Sequence, residues 1–340
     1  MNRMTKFERL KAAIAGKEVD RVPVALWRHF SVVDQDPVSL AEAQYNDAVK
    51  YDYDFIKLMP FGLYSIQPWG AQIRFTCKVN QPPEVTEYGI KAVSDWKNID
   101  KVPAYFGSYG KQIELARHVS RLSKGSVPFI QTLFSPLTSA RKLAGDRVFA
   151  DMRSEPEIIK AALQAITDTT LDFIRENINA GVSGFFLATQ CCNKDQISEE
   201  EYHEFEEPYM LQMINSFKDE TFLNIGHLHG DNGMFEDFAA LPFTAINWHD
   251  RWTWPSLGEA RKLTDKCLVG GMREIPYYDK TGKKIKESPL MSENVIEITE
   301  HIHESIVAVN GRGLIIAPGC CVDQSISEMS QFAIRAAVEP

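Results

Sequence analysis

The chain has 340 residues, of which 44% are hydrophobic and 24% are charged, and its formal net charge is -9. This composition is typical of a protein that folds around a sizeable core, and it argues against disorder. The negative charge and the lack of a Lys/Arg stripe argue against a nucleic-acid partner, and no apolar run approaches the roughly 20 residues that cross a bilayer. With no signal-peptide core and no disulfide framework, the chain is expected to be cytoplasmic.

Short apolar runs, rich in β-branched or aromatic residues, recur along the chain, and each is followed by a polar or glycine-containing turn. Such runs are typical of parallel strands that are covered by helices on both faces of the sheet. Eight runs are predicted to be strands: residues 21–27, 55–59, 127–134, 184–189, 222–228, 244–248, 267–271 and 313–318.

Segments with helical periodicity lie between these runs. One of them, SEEEYHEFEEPYMLQMINSFKDE, is predicted to be a single helix after the fourth strand. Eight alternating units of strand and helix most economically close into a (β/α)8 barrel, the TIM barrel of the α/β class. We therefore predict a single TIM-barrel domain over residues 1–340.

Two connections exceed the usual loop lengths and are predicted to be insertions in the barrel. Residues 61–95 follow the second strand and resemble a hairpin of two strands. Residues 274–291 follow the seventh strand, and their lysine, glycine and serine content is typical of a mobile flap.

The stretch NIGHLHGD places His227 and His229 at the end of the fifth predicted strand. Residues i and i+2 of a strand face the same side, so both imidazoles can address one point in space. Each histidine alone is more often a packed core residue or an acid/base group. Cys320, however, follows the eighth strand, and active sites of such barrels lie at the carboxyl ends of the strands. We therefore predict a metal site formed by His227, His229 and Cys320, a set of ligands that suits zinc.

Three further residues are candidates for catalysis. Arg28 follows the first strand and could hold a carboxylate or phosphate group. Glu206 could supply a fourth metal ligand or a hydrogen bond to a ligating imidazole, and a solvated helix face is the alternative. Asp231 could orient a histidine or merely cap the next helix. Cys191, at the end of the fourth strand, is another candidate for the fourth ligand, as is the substrate itself.

Aromatic side chains gather at the predicted mouth of the barrel, where a flat apolar substrate would fit. We expect Trp27, Phe134, Trp248 and Tyr277 to bind this substrate, together with Arg273 for an anionic group. Ordinary packing for the aromatic residues and salt bridges for the arginines are the alternatives.

Five segments resemble signature blocks of the uroporphyrinogen decarboxylase superfamily. This superfamily includes zinc-dependent methyltransferases that exchange methyl groups with corrinoid proteins. The resemblance extends over nearly the whole chain and implies a corrinoid cofactor carried by a partner protein. The segments are FERLKAAIAGKEVDRVPV, VPFIQTLFSPLTSARKLAG, ISEEEYHEFEEPYM, HLHGD and LIIAPGC.

The chain departs from the decarboxylases of this superfamily at several places. Those enzymes match at Arg28 but carry a second arginine four residues later, where this chain has Val32. They carry an aspartate at the end of strand two, where this chain has residues 57–60, and a histidine at the place of Cys320. The resemblance therefore implies that decarboxylation of tetrapyrroles is lost.

The methyltransferases that act on thiols bind zinc through an HxC pair on strand five and a PGC cysteine on strand eight. This chain is similar at His227 and Cys320, but His229 replaces the middle cysteine. A neutral imidazole in place of a thiolate leaves zinc more electrophilic, which favours polarisation of an ether or alcohol oxygen. Superfamily members that demethylate ethers use a carboxylate-rich zinc motif, which the spacing of Cys191, Glu206 and His227 resembles.

We therefore favour demethylation of a small methoxy compound, aromatic in one version of the hypothesis, with transfer of the methyl group to a separate corrinoid protein. A thiol as the small substrate is a variant of this hypothesis. One alternative is a metal-free decarboxylase or lyase that holds an anionic substrate through Arg28 and Arg273. Another is a non-catalytic protein that binds a tetrapyrrole or corrinoid. A homodimer is one assembly that the sequence allows.

Overall fold

The computed structural model describes residues 3–339, in which helices and strands alternate along most of the chain. Eleven strands lie in this range: β1 (Ile56–Lys57), β2 (Gln72–Arg74), β3 (Glu84–Glu87), β4 (Phe129–Phe134), β5 (Gly184–Thr189), β6 (Ile225–Leu228), β7 (Ala245–Trp248), β8 (Cys267–Met272), β9 (Tyr277–Tyr278), β10 (Lys284–Lys286) and β11 (Leu314–Pro318).

Twelve α-helices lie in the same residues, and none of them combines the length and the apolarity that a membrane crossing needs. They are α1 (Lys6–Ile14), α2 (Pro37–Lys50), α3 (Gly107–Ser123), α4 (Pro136–Ala144), α5 (Arg147–Ser154), α6 (Pro156–Ala180), α7 (Glu199–Phe205), α8 (Glu207–Phe217), α9 (Phe235–Ala240), α10 (Leu257–Leu263), α11 (Val295–Ala308) and α12 (Glu328–Ala336).

Seven strands form one parallel sheet in the order β1-β4-β5-β6-β7-β8-β11. Alternate residues of these strands pack in two different places. Ile130, Ile225, Val269 and Ile315 belong to a cluster in the interior of the curled sheet, whereas their neighbours pack against the helices outside. Because both faces are covered, nearly every strand residue is buried, which is why the strands read as continuous apolar runs.

The first predicted strand closes the curled sheet into a barrel, although it forms only isolated bridges. Val24 bridges Ile316 of β11, and its carbonyl accepts a hydrogen bond of 2.8 Å from the N–H of Asp54, just before β1. Pro23 has no N–H to donate, and the N–H of Val24 donates to the Asp54 carboxylate at 2.8 Å. The first predicted strand therefore pairs over fewer residues than predicted. The predicted barrel fold itself is confirmed.

Each of the two predicted insertions contains an antiparallel hairpin. β2 pairs with β3 between β1 and β4, and β9 pairs with β10 between β8 and β11. Most residues of β2, β3 and β10 are exposed. The single domain, the status of these segments as insertions and the flap role of residues 274–291 stay predictions.

The helix predicted after β5 is wrong in one respect, because it is broken into α7 and α8 at Glu206. Pro208 lies in the first turn of α8 and has no N–H for the carbonyl four residues earlier. Its ring also disfavours helical backbone at the residue before it. The break turns the Glu206 side chain inward, where it is completely buried.

A buried ionic cluster holds the closing segment in place. The Asp54 carboxylate is fully buried, and it accepts hydrogen bonds from Arg9 at 2.7 Å and from Arg21 at 2.6 Å. Together with the bond from the Val24 N–H, these contacts tie α1 and the closing segment to the start of β1.

We expect Asp54→Asn to lower the free energy of unfolding by roughly 3–5 kcal/mol, because it removes the close carboxylate partner of the buried Arg21 guanidinium and one of the two carboxylate partners of Arg9. Unfolding in urea measures the change. Glu220→Gln breaks an arginine–carboxylate pair that is about half exposed, with Arg175 at 2.7 Å, and should cost less than about 1 kcal/mol. Equal losses in the two variants would contradict the role assigned to Asp54.

Candidate metal centre

A cavity of about 900 Å³ opens at the carboxyl ends of the barrel strands. Its walls include the side chains of Trp27, Met59, Phe134 and Phe186. Active sites of such barrels lie at this face, and small molecules bind in cavities of this size with mostly apolar walls. The cavity thus lies where the sequence predicts the site, and Trp27 and Phe134 line it as expected.

His227, His229 and Cys320 meet in this cavity. Their ligand atoms all lie within 4.8 Å of one another, and Cys320 Sγ is 3.8 Å from His229 Nδ1. Within residues 3–339, no other group of three or more His, Cys, Asp or Glu side chains brings its ligand atoms this close together. The fold therefore brings together the two segments, distant in sequence, that carry the predicted metal ligands.

Strand β6 directs both histidines into the barrel. Ile225 belongs to the interior cluster, so His227, two residues later, faces the interior as well. Although β6 ends at Leu228, the N–H of His229 still donates to the carbonyl of Thr189 at 3.0 Å. This bond keeps the backbone extended for one more residue, so both imidazoles lie on the same face.

Asn247, on the neighbouring strand β7, fixes the orientation of His227. Its amide nitrogen donates to the carbonyls of Val269 and Pro318 at 2.8 and 3.1 Å, so its Oδ1 must accept a hydrogen bond. That oxygen lies 2.6 Å from His227 Nδ1, which therefore carries the proton. Burial, with the nearby His229 and His249 as further causes, holds the pKa of His227 well below its ordinary value. The ring is thus neutral, with the Nε2 lone pair available to a metal.

A third histidine, His249, lies beside His229 and is paired with Glu274. His249 Nε2 is 3.3 Å from His229 Nδ1, and His249 Nδ1 is 2.6 Å from the buried Glu274 carboxylate. Trp252 also donates to this carboxylate at 3.0 Å. Burial opposes ionisation of Glu274, but the hydrogen bonds from His249 and Trp252 outweigh it and lower the pKa of Glu274. Glu274 therefore orients His249, which in turn contacts the predicted ligand His229.

Glu206 and Cys191 do not join the three predicted metal ligands. Glu206 is buried outside the cavity, where its carboxylate accepts a hydrogen bond of 2.5 Å from Thr189 Oγ1. Burial raises the pKa of Glu206 to about 7, although this hydrogen bond opposes the change. The Cys191 thiol is likewise buried, and it does not line the cavity. The structure therefore does not assemble the set of Cys191, Glu206 and His227 that the sequence spacing resembles.

Trp248 does not line the cavity, which corrects its predicted role in substrate binding. Its indole N–H donates to the carbonyl of Pro255 at 2.7 Å, and its ring packs against Phe235 at a centroid distance of 4.9 Å. Successive residues of a strand point to opposite sides, so the inward position of Asn247 places Trp248 in the outer layer.

The two predicted anion-binding arginines are also absent from the cavity lining. Arg28 forms a two-pronged pair with Asp47, at 2.9 and 3.0 Å, and donates to a backbone carbonyl as well. The Arg273 guanidinium donates to three backbone carbonyls, and the Tyr277 ring lies 4.1 Å from its central carbon. The alternative interpretation of the arginines, as structural groups, fits these contacts.

Tyr277 and Asp231 lie outside the cavity lining too. The Asp231 carboxylate accepts a hydrogen bond of 2.8 Å from the N–H of Asn232, its neighbour in the turn after β6. The N-cap of the next helix, α9, is Met234, so Asp231 does not cap that helix, and its catalytic role stays a prediction.

Three residues that contact the predicted ligands or line the cavity were not singled out from the sequence: Asn247, His249 and Glu274. The available signal was their place at the ends of strands six and seven, in the same predicted mouth. A fourth such residue is Lys57, the last residue of β1.

Comparison with known proteins finds a family model that covers nearly the whole chain and relatives of two kinds, methyltransferases and a uroporphyrinogen decarboxylase of Aquifex aeolicus that is 24% identical over 64% of this chain and 62% of the relative. The family model described as uroporphyrinogen decarboxylase (URO-D) matches residues 5–339. A methylcobamide:CoM methyltransferase, MtbA of Methanosarcina mazei, is 21% identical over 269 residues, which cover 73% of this chain and 76% of the relative. Another such enzyme, MtaA of Methanosarcina barkeri, is 23% identical over 340 residues, and the match covers 94% of this chain and 93% of the relative.

The fold is similar to that of a solved methyltransferase from Methanosarcina mazei, with a TM-score of 0.77 and 17% identity over 98% of each chain. Barrel and helices thus agree over nearly the full length. The family match is equally extensive, so this protein belongs to the uroporphyrinogen decarboxylase family, and its predicted place in the methyltransferase branch of enzymes is confirmed.

Proposed function

We propose that the protein is a zinc-dependent methyltransferase that moves a methyl group from a small methoxy compound to the cobalt of a corrinoid protein. The observation that carries this proposal is the meeting of His227, His229 and Cys320 in an apolar cavity at the active face of the barrel. The names of the two Methanosarcina relatives, which contain methylcobamide, support the corrinoid as the methyl carrier.

The three side chains fit a zinc ion. Bonds of about 2.0 to 2.3 Å to nitrogen and sulfur in a tetrahedral arrangement place two ligand atoms roughly 3.5 Å apart. The distance of 3.8 Å between Cys320 Sγ and His229 Nδ1 is close to that value. Three protein ligands also leave one position for substrate, as catalytic zinc sites require.

Zinc held by two imidazoles and one thiolate supplies a Lewis acid that polarises the oxygen of a methyl ether. The protein's own groups prepare this site. Asn247 holds the His227 ring in one tautomer, and the hydrogen-bonded pair of His249 and Glu274 lies against His229.

The proposed reaction breaks the bond between the methyl carbon and the ether oxygen. Cob(I)alamin on the partner protein supplies the electron pair of the new bond between carbon and cobalt. The substrate oxygen keeps the electrons of the broken bond and takes up a proton, so the products are an alcohol or phenol and methylated corrinoid. No external oxidant or reductant is needed.

The alternative of a metal-free lyase receives less support. It needs Arg28 and Arg273 to hold an anionic substrate, and both guanidinium groups are engaged by other protein groups outside the cavity. A homodimer and a cytoplasmic location stay predictions.

Purified protein is expected to contain one zinc ion per chain, and Cys320→Ser should lose most of it because the only thiolate of the proposed set is removed. Elemental analysis after dialysis measures the metal content. Cys77→Ser removes an exposed thiol and serves as the matched control, which should keep its zinc. Full zinc content in Cys320→Ser would contradict the proposed ligand set.

Methyl transfer itself is tested with cob(I)alamin, the zinc-loaded protein and para-methoxybenzoate under anaerobic conditions. We expect the spectrum of methylcobalamin to appear and para-hydroxybenzoate to accumulate in equal amount. Removal of zinc by a chelator should abolish both signals, and added zinc should restore them. Transfer at an undiminished rate without zinc would refute the proposal.

Glu206 is proposed to act only in the fold, so Glu206→Gln should keep its zinc. The folded-state pKa of about 7 lies above the ordinary value of 4.5, so wild-type stability falls as the pH rises from 4.5 through 7. The amide cannot ionise, and the variant should therefore gain stability relative to wild type over that range. Urea unfolding at pH 5 and pH 8, combined with zinc analysis, tests both points. Loss of zinc in Glu206→Gln would restore Glu206 as a ligand.

A further inference from the structure

Lys57 is a buried cation without a carboxylate partner. Its side chain is 6% exposed, and it forms no salt bridge with any residue of the range 3–339. The ammonium nitrogen contacts Met59 Sδ at 2.7 Å and lies 4.4 Å from the centre of the Phe186 ring and 5.7 Å from that of Trp27. Burial of a charge is costly unless it is paired, and among the described residues Lys57 has no carboxylate partner, although the Cys320 and Cys321 thiols line the same cavity.

The ammonium group belongs to the cavity that holds the three proposed metal ligands. The carboxylates that line this cavity are already engaged. Glu274 pairs with His249 through one of its two oxygens, Glu287 pairs with Lys284, and Asp323 accepts hydrogen bonds from Asn80 and Ser325, so none of the three carboxylates pairs with Lys57. The charge of Lys57 is therefore open to a bound molecule.

Lys57 lies close to the proposed metal site. Its nitrogen is 4.4 Å from the Phe186 ring centre, and that ring is stacked on His227 with 5.1 Å between centroids, so less than about 10 Å separate the nitrogen from the imidazole. An aromatic ring with a carboxylate at one end and a methoxy group at the other can contact both groups, because both line one cavity of about 900 Å³. Trp27, Phe134 and Phe186 offer flat apolar surfaces for the ring between the two ends.

We propose that Lys57 binds the carboxylate of the substrate, so that the methyl donor is an aromatic methoxy acid whose methoxy group lies toward His227, His229 and Cys320. This inference rests on the proposed function and names its substrate class.

Lys142 provides a matched control in the same cavity. Its ammonium nitrogen lies 3.1 Å from the centre of the Phe134 ring, but it also donates to the carbonyl of Gly62 at 2.8 Å. It has a backbone partner that Lys57 lacks. Replacement of either lysine by methionine keeps a similar length and removes the charge.

The test is calorimetric titration of the zinc-loaded protein with para-methoxybenzoate and with the neutral para-methoxybenzamide, without corrinoid. We expect Lys57→Met to weaken binding of the carboxylate by about 10-fold or more, and binding of the amide by less than about 3-fold. Lys142→Met should change both affinities by less than about 3-fold. Thermal unfolding and zinc content confirm that each variant is folded and loaded.

Several results would overturn the assignment: no measurable binding of the carboxylate to the wild type, equal losses in the two lysine variants, or equal losses for carboxylate and amide in Lys57→Met. The last result would mean that Lys57 only balances the charge of the neighbouring thiols. Binding through Lys57 without methyl transfer to cob(I)alamin would contradict the proposed function and leave the anion site standing. Methyl transfer at the same rate in wild type and Lys57→Met would support the proposed function and contradict the anion site at Lys57.

Discussion

The Asp54 carboxylate closes the barrel, and the cavity depends on that closure. It accepts hydrogen bonds from Arg9, Arg21 and the N–H of Val24. These bonds hold the closing segment, the first predicted strand, between β11 and β1. Each of these three pieces of chain then delivers one group to the cavity a few residues later. The closing segment delivers Trp27, β1 ends in Lys57, and Cys320 follows β11. A barrel left open at this seam would separate Cys320 and Lys57 from one another.

The alternation of side chains along each strand decides which residues face the barrel interior and which pack against the helices outside. On β7, Asn247 faces the interior and orients His227, while its neighbour Trp248 packs into the helical layer outside. On β6, His227 and His229 share the inner face because the backbone stays extended through His229. The site is therefore built from regular strand geometry, and its donor atoms are held by backbone pairing.

The cations near the barrel mouth differ in their partners. Arg28 and Arg273 donate hydrogen bonds to Asp47 and to backbone carbonyls, and these bonds hold the loops around the mouth in place. Lys57 is left without a carboxylate in a cavity with largely apolar walls. A cation in such surroundings is a strong attractor for an anion, because little water competes for it. The imidazole of His229, in place of a thiolate, gives the proposed zinc site a more electrophilic character than a site with two thiolates.

The sequence by itself determined the parallel barrel, because burial on both faces of each strand leaves a local apolar run that needs no knowledge of the neighbours. It also determined that His227 and His229 share a face, since the period of a strand is fixed by its backbone. Only the tertiary structure decided which polar groups remain free. The partners of Arg28, Arg273 and Glu206 lie in other segments or in backbone carbonyls, and their pairing depends on distances that no local pattern records. The same holds for the inward place of Asn247, for the His249 and Glu274 pair, and for the solitary charge of Lys57.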